Sequence, residues 1–181
     1  ATAILINALW EYGVEADYYI PNRHLEGYGL NEKAVDKIFE SGTDIIITVD
    51  CGIASNQLIE KQNGLSREII VTDHHSIVNE VPDCLVIKPG QSGDTYENPD
   101  LCGAGIAFKI AQALLGKNAD KLIDYACVAT VADIVPLKKE NRYIVKKGLE
   151  SINTSPRACF KALLQDAEYG GEINSRTVGF T

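Results

Sequence analysis

A chain of 181 residues, 45% hydrophobic and 23% charged, has room for one well-filled core with a helical appendage and not for two independent cores. A formal net charge of -8 argues against a basic surface that displaces counterions from a nucleic-acid backbone. No apolar run approaches the ~20 residues of a membrane-spanning helix and no basic-then-apolar leader is present, so the expected address is the cytoplasm, with no membrane partner.

The opening stretch Ala1 to Trp10 is already periodic, with Ile4, Leu5, Ala8 and Leu9 on one face and Gly13 in the place of a C-terminal cap. No N-cap residue precedes it and the sequence holds no methionine, from which the expectation is a fragment of a longer protein. Val14 to Ile20 alternates as a strand would, and Pro21-Asn22-Arg23 breaks it ahead of a loop through Gly27 and Gly29. Asn31 predicts the cap of a helix from Glu32 to Ser41, stopped by Gly42. A strand from Asp44 to Val49, a helix from Asn56 to Gln62 capped by Ser55, and a strand from Glu68 to Thr72 then read as one β-α-β unit.

Leu85 to Ile87 predicts a further short strand, and Gln91 to Asp100, rich in Gly, Asp, Asn and Pro, a surface loop. From Gly103 onward the pattern is helical: Ile106, Ile110, Ala113 and Leu114 mark one helix, and Asn118 the cap of a second that ends near Asp133. Asn141 to Ile152 and Pro156 to Ala167 follow as a third and a fourth. Strands alternating with helices, then a run of helices, predict an α/β fold: a mostly parallel sheet with helices on both faces plus a C-terminal helical extension.

The five cysteines (Cys51, Cys84, Cys102, Cys127, Cys159) lie far apart and form no Cys-x-x-Cys pair, so they read as reduced thiols in or near the core. The chemistry concentrates elsewhere, where two β-branched runs each end on a polar cluster: Asp50-Cys51-Gly52 and Asp73-His74-His75. In a β-α-β unit both strand ends open on one edge of the sheet, the edge where open α/β folds bind ligands, which makes Asp50 and His74 expected neighbours. Mixed Asp and His donors suit Mn²⁺, Mg²⁺ or Zn²⁺, with carboxylates favouring the harder Mn²⁺ and Mg²⁺. Asp133 is a charge inside the apolar stretch Val131 to Pro136, either metal-bound or an ordinary helix-end aspartate with an ion-pair partner. Gly103-Ala104-Gly105 opens a helix whose backbone N–H groups could face phosphate, or simply lets helix and sheet pack closely. Arg23 and Tyr28 could hold a phosphate and stack on a base from the loop after Pro21.

These residues resemble the DHH phosphoesterase family, and most closely its RecJ branch of single-strand-specific 5′→3′ exonucleases. Thr48 to Gly52 is similar to the family's second motif, Val71 to His75 to its third, and Val131 to Leu137 to its fourth. Tyr19 to Arg23, Glu26 to Leu30 and Gly103 to Lys109 resemble the RecJ branch in particular, so the likeness covers nearly the whole chain. The resemblance implies a Rossmann-like domain and hydrolysis of phosphodiesters with two Mn²⁺ or Mg²⁺ ions. Asp50 would bridge both ions, His74 and Asp133 would complete the shell of one, Asp73 would belong to the catalytic cluster, and His75 would face the scissile phosphate. Arg23, Tyr28, Gly103 and Gly105 would contact substrate.

The same resemblance implies single-stranded nucleic acid as partner, a single-strand-binding protein as a partner of the intact enzyme, and a place in DNA repair and recombination. It divides the chain at residues 1-155, the core without its first strand and first motif, and 156-181, the start of a linker toward a second domain. With that motif missing, the 181-residue chain alone is expected to be inactive. The alternatives are a phosphoesterase of the same family acting on oligonucleotides, dinucleotides or pyrophosphate, and a non-catalytic scaffold.

Overall fold

The computed structural model describes residues 1–77, 80–166 and 170–180. At its centre three strands, β1 (Ile45–Ile47), β2 (Glu68–Thr72) and β3 (Leu85–Ile87), form a parallel sheet in the order β1-β2-β3. Ile46 lies opposite Ile69, and Val71 opposite Val86. Successive strand side chains point to opposite faces, and both faces are covered here. Ile46, Ile69 and Val71 pack with Val35 of α3 (Glu32–Glu40) and Ile59 of α4 (Asn56–Gly64). Ile47 and Val49 turn the other way, into a larger core built by α1 (Thr2–Tyr12), α5 (Gly103–Leu115), α6 (Ile123–Ala132) and α7 (Lys139–Thr154). The fold is therefore α/β with a parallel sheet between two helical layers.

The local signals act largely as the sequence predicts. Gly13 ends α1 at φ 91, a left-handed conformation that costs glycine nothing, and Asn31 caps α3 by accepting from the Ala34 N–H at 2.8 Å. Other signals fail. Val14 to Ile20 forms no strand: Tyr18, Tyr19 and Ile20 are exposed, and no strand among the described residues offers that segment a ladder. Alternation alone does not make a strand when no neighbour satisfies its backbone. Instead, Asn22 caps a single helical turn, α2 (Arg23–Glu26), by accepting from the His24 and Leu25 N–H groups. Ser55 precedes α4 without a side-chain cap bond. Asn118 caps nothing, because it lies inside a 3₁₀ helix, Gly116–Leu122, that runs directly into α6.

The helical extension begins with α8 (Ala158–Asp166); Ala167, the expected last residue of that helix, lies outside the described residues. A further helix, α9 (Ser175–Phe180), is not among the elements the sequence predicts. Phe160 and Ile173 are buried in the larger core, and Arg157 joins the nearly buried Asp124 at 2.5 Å while lying over the Tyr125 ring. Asn153 accepts from the Ile173 N–H and donates to its carbonyl. All five cysteines are free; Cys102 and Cys127 are buried, whereas Cys159 is exposed. No helix among the described residues is long and apolar enough to cross a membrane.

Candidate metal centre

β1 and β2 run parallel, so their carboxyl ends open on one edge. The pairing continues beyond β1: Thr48 N–H donates to Ile70 O and Asp50 N–H to Thr72 O, each at 2.9 Å. Two buried threonines lock the turn, with Thr72 Oγ1 donating to Thr48 O and Thr48 Oγ1 to Cys51 O, both at 2.7 Å. Asp50 itself is held at φ 68, a left-handed conformation that aspartate tolerates better than most residues. Gly52 follows at φ 109, where an added Cβ would sit 3.0 Å from Thr48 Oγ1. The backbone thus lifts Asp50 off the strand and leaves its carboxylate over the sheet edge.

Asp73, at the end of β2, is 1% exposed, and its oxygens are taken by its own surroundings. Oδ1 accepts from the His74 and His75 N–H groups and from His75 Nδ1 at 2.6 Å, and Oδ2 accepts from the Ile53 N–H at 3.0 Å. That contact sets the orientation of the His75 ring and leaves Nε2 pointing away from Asp73.

His74 behaves differently. Its Nε2 lies 3.3 Å from Asp50 Oδ1 and 3.3 Å from Asp133 Oδ2. Yet the buried atoms His74 Nε2 and Asp50 Oδ1 face each other at 3.3 Å without the alignment of a hydrogen bond, and neither finds another hydrogen-bond partner among the described residues. Buried polar atoms are rarely left unbonded, and here two of them converge with a second carboxylate. The carboxylate of Asp50 is the largest influence raising the His74 imidazole above its ordinary pKa, opposed by burial and reinforced by Asp133. His74 in turn is the main cause that lowers Asp50. Asp50, His74 and His75 present ligand atoms within 4.8 Å of one another. Asp133 joins them through its contact with His74 Nε2, from the C-terminal end of α6.

The glycines beside the site have a steric role. A Cβ on Gly103 would stand 2.1 Å from Asp50 Oδ1, so only glycine lets α5 approach that carboxylate. Gly105 donates its N–H to Cys102 Sγ, and an added Cβ would meet Leu101 Cδ2 at 3.0 Å. Its amide is therefore committed to the helix cap rather than open to a phosphate. Tyr28 reaches the site with its hydroxyl, which donates to Asp50 O at 3.0 Å and lies 3.4 Å from His75 Nε2. Arg23 covers the Tyr28 ring at 5.6 Å, a cation–π contact in the place where the sequence suggests base stacking. Sequence reasoning missed Thr48 and Thr72 as the locks of the Asp50 turn, though each stands one or two residues ahead of an aspartate of the site. It also missed Ile134, held at φ 56 immediately after Asp133, a conformation costly for a β-branched residue.

A family model described as DHH family, N-terminal domain, matches residues 1–135. The chain is 42% identical over 182 residues to the single-stranded-DNA-specific exonuclease RecJ of Bacillus subtilis, an alignment covering 99% of this chain and 23% of that protein. It superimposes on a crystal structure of exonuclease RecJ bound to manganese with a TM-score of 0.85 and 35% identity, covering 99% of this chain and 46% of the other. For RecJ of Thermus thermophilus in complex with Mn²⁺ the TM-score is 0.80 and the identity 32%, with 99% and 26% covered. The chain therefore spans less than half the length of each of these proteins.

Proposed function

The chain belongs to the DHH family, and from that premise we propose that it is part of a single-stranded-DNA-specific 5′→3′ exonuclease that hydrolyses phosphodiesters with Mn²⁺ or Mg²⁺. The observation that carries the proposal is the pair of buried, unbonded atoms His74 Nε2 and Asp50 Oδ1, with Asp133 Oδ2 against the same imidazole nitrogen. Asp50, His74 and Asp133 would hold a hard divalent cation; mixed carboxylate and imidazole donors fit Mn²⁺ and Mg²⁺. When bound, the cations supply Lewis-acid polarisation of the phosphoryl oxygens and a hydroxide nucleophile at neutral pH. Asp73 would act as the brace of the Asp73-His74-His75 turn, and through Nδ1 it would aim His75 Nε2 at the scissile phosphate. Tyr28 would tie that imidazole to the Asp50 turn, with Arg23 above its ring offering charge to an incoming phosphate. Gly103 would contribute by letting α5 meet Asp50, close to where substrate oxygens would lie.

Several finer readings rest on the family likeness alone: a cytoplasmic protein of DNA repair and recombination, with a single-strand-binding protein as partner of the intact enzyme. The division into a core over 1-155 and a connecting segment over 156-181 belongs with them, with Phe160 and Ile173 seating that segment on the core. The test uses the whole enzyme with 5′-labelled single- and double-stranded DNA, with and without a chelator. Single-strand-selective release from the 5′ end, abolished by the chelator, is expected. Equal rates on both substrates, preference for dinucleotides or pyrophosphate, or activity that survives the chelator would overturn the proposal.

A further inference from the structure

Asn141 stands in the first turn of α7, is not one of the candidate ligands, and is completely buried. A buried amide persists only if its donors and acceptor are matched, and this one has all three in use. Its Nδ2 donates to the carbonyl of Asp100 at 2.7 Å and to that of Pro136 at 3.0 Å. Its Oδ1 accepts from Asn98 Nδ2, another nearly buried amide, at 3.3 Å. Two carbonyls on one side and an amide donor on the other fix which way the group faces.

The two carbonyls belong to the loops that build one wall of the metal centre. Asp100 lies three residues before Gly103, where α5 meets the Asp50 carboxylate. Pro136 lies three residues after Asp133, across the left-handed Ile134. The side chains flanking Asn141 fasten the same ground: Lys139 Nζ bonds the Glu97 carbonyl, and Glu140 takes the Tyr96 hydroxyl and, at 2.9 Å, Lys109 Nζ of α5. The Asp133 carboxylate is 41% exposed and, among the described residues, has no bond to backbone N–H groups like those that hold Asp73, so its loop is anchored elsewhere.

We infer that Asn141 is a positioning residue for the metal centre, a buried amide that sets the separation between Asp133 and the Asp50–His74 pair by tying the loop behind Gly103 to the loop behind Asp133. The inference rests on the metal reading above. Without the amide, Pro136 and Asp100 lose their common donor, and the loop carrying Asp133 can drift from His74 while the strand ends stay in place. Partners hydrogen-bonded directly to a metal ligand typically govern affinity by about 10–100-fold, and an amide that acts one step further out, through the backbone, is expected at the low end of that range.

The test is a Mn²⁺ titration of the 181-residue chain, read as free Mn²⁺ by electron paramagnetic resonance, with unfolding midpoints measured in parallel. Four proteins are compared: the unsubstituted chain, Asp50→Asn, Asn141→Ala and Asn153→Ala. Asn153 is the control, an exposed amide that also clamps backbone, bonding Ile173 N and O and the Leu149 carbonyl, none of which belongs to the site loops. The expected result is binding by the unsubstituted chain, loss in Asp50→Asn, weakening of roughly tenfold in Asn141→Ala, and no change in Asn153→Ala. If Asn141→Ala does not fold, Asn141→Ser, which keeps one donor, is read in its place with a smaller weakening expected. Asn141 variants that bind like the unsubstituted chain, or an equal loss in Asn153→Ala, would overturn this inference and leave the metal reading standing. Failure of the unsubstituted chain to bind Mn²⁺, or unchanged binding by Asp50→Asn, would overturn both.

Discussion

The ends of β1 and β2 carry the same residue type on the same sheet edge, and the two are used in opposite ways. Asp73 is sealed, with its oxygens filled by three backbone N–H groups and one imidazole N–H. Asp50 has a side chain 43% exposed, one buried oxygen without a hydrogen bond, and a backbone twisted to φ 68 to lift it free. A carboxylate whose acceptor sites are already filled has little left to give a cation, whereas one held in strain with a free lone pair does. Position on a strand end nominates a ligand, and the local donors then decide.

One substitution made at both places gives the sharpest contrast. Asp50→Asn keeps the shape and tolerates the left-handed backbone, so stability should stay within about 0.5 kcal/mol while the whole enzyme loses at least about a hundredfold in turnover. Unfolding curves and single-turnover rates measure the two halves of that statement. Asp73→Asn places an amide N–H₂ where an oxygen now accepts, and should lower stability by roughly 2 kcal/mol in urea unfolding. An Asp73→Asn protein as stable as the original would erase the distinction between the two carboxylates.

Gly103→Ala pushes a methyl group to within 2.1 Å of Asp50 Oδ1 unless something moves. Mn²⁺ affinity should fall by roughly tenfold as the carboxylate is displaced, measured by calorimetry. Gly105→Ala, crowding Leu101 instead, should leave affinity unchanged. The pH dependence follows from His74, whose pKa is raised above the ordinary 6.5, chiefly by Asp50. A cation must displace that proton, so binding should tighten as pH rises toward the raised value and level off above it. Affinity that is flat across this window would mean His74 does not coordinate. Smallest of all, Tyr28→Phe removes one hydroxyl bond to the Asp50 carbonyl and should cost about 1 kcal/mol of stability or less.

Much of this is legible in the chain. Strand Glu68 to Thr72 and the start of the helix at Gly103 match the sequence reading to the residue, because β-branched runs buried on both faces and a glycine-led helix leave plain signals. The grouping of Asp50 with His74 follows from topology alone, since parallel neighbours share an edge. Val14 to Ile20 misleads because alternation reports a face and not a partner, and Asn118 because a good capping residue sits equally well in a 3₁₀ turn. The sealing of Asp73 is barely legible: three of its four donors are backbone groups of residues 53, 74 and 75, identical in every amino acid but proline, and only the His75 imidazole is a side-chain signal. The glycines of α5 read in sequence either as a phosphate cradle or as a place of close packing; which neighbours they meet, Asp50 for Gly103 and Leu101 for Gly105, exists only in three dimensions.

The most direct measurement is an anomalous difference map from crystals of this chain soaked in Mn²⁺. The account predicts a peak in contact with His74 Nε2, Asp50 Oδ1 and the Asp133 carboxylate, with Asp73 still bonded to its backbone donors. A peak coordinated by Asp73, or none between Asp50, His74 and Asp133 at saturating Mn²⁺, would contradict it.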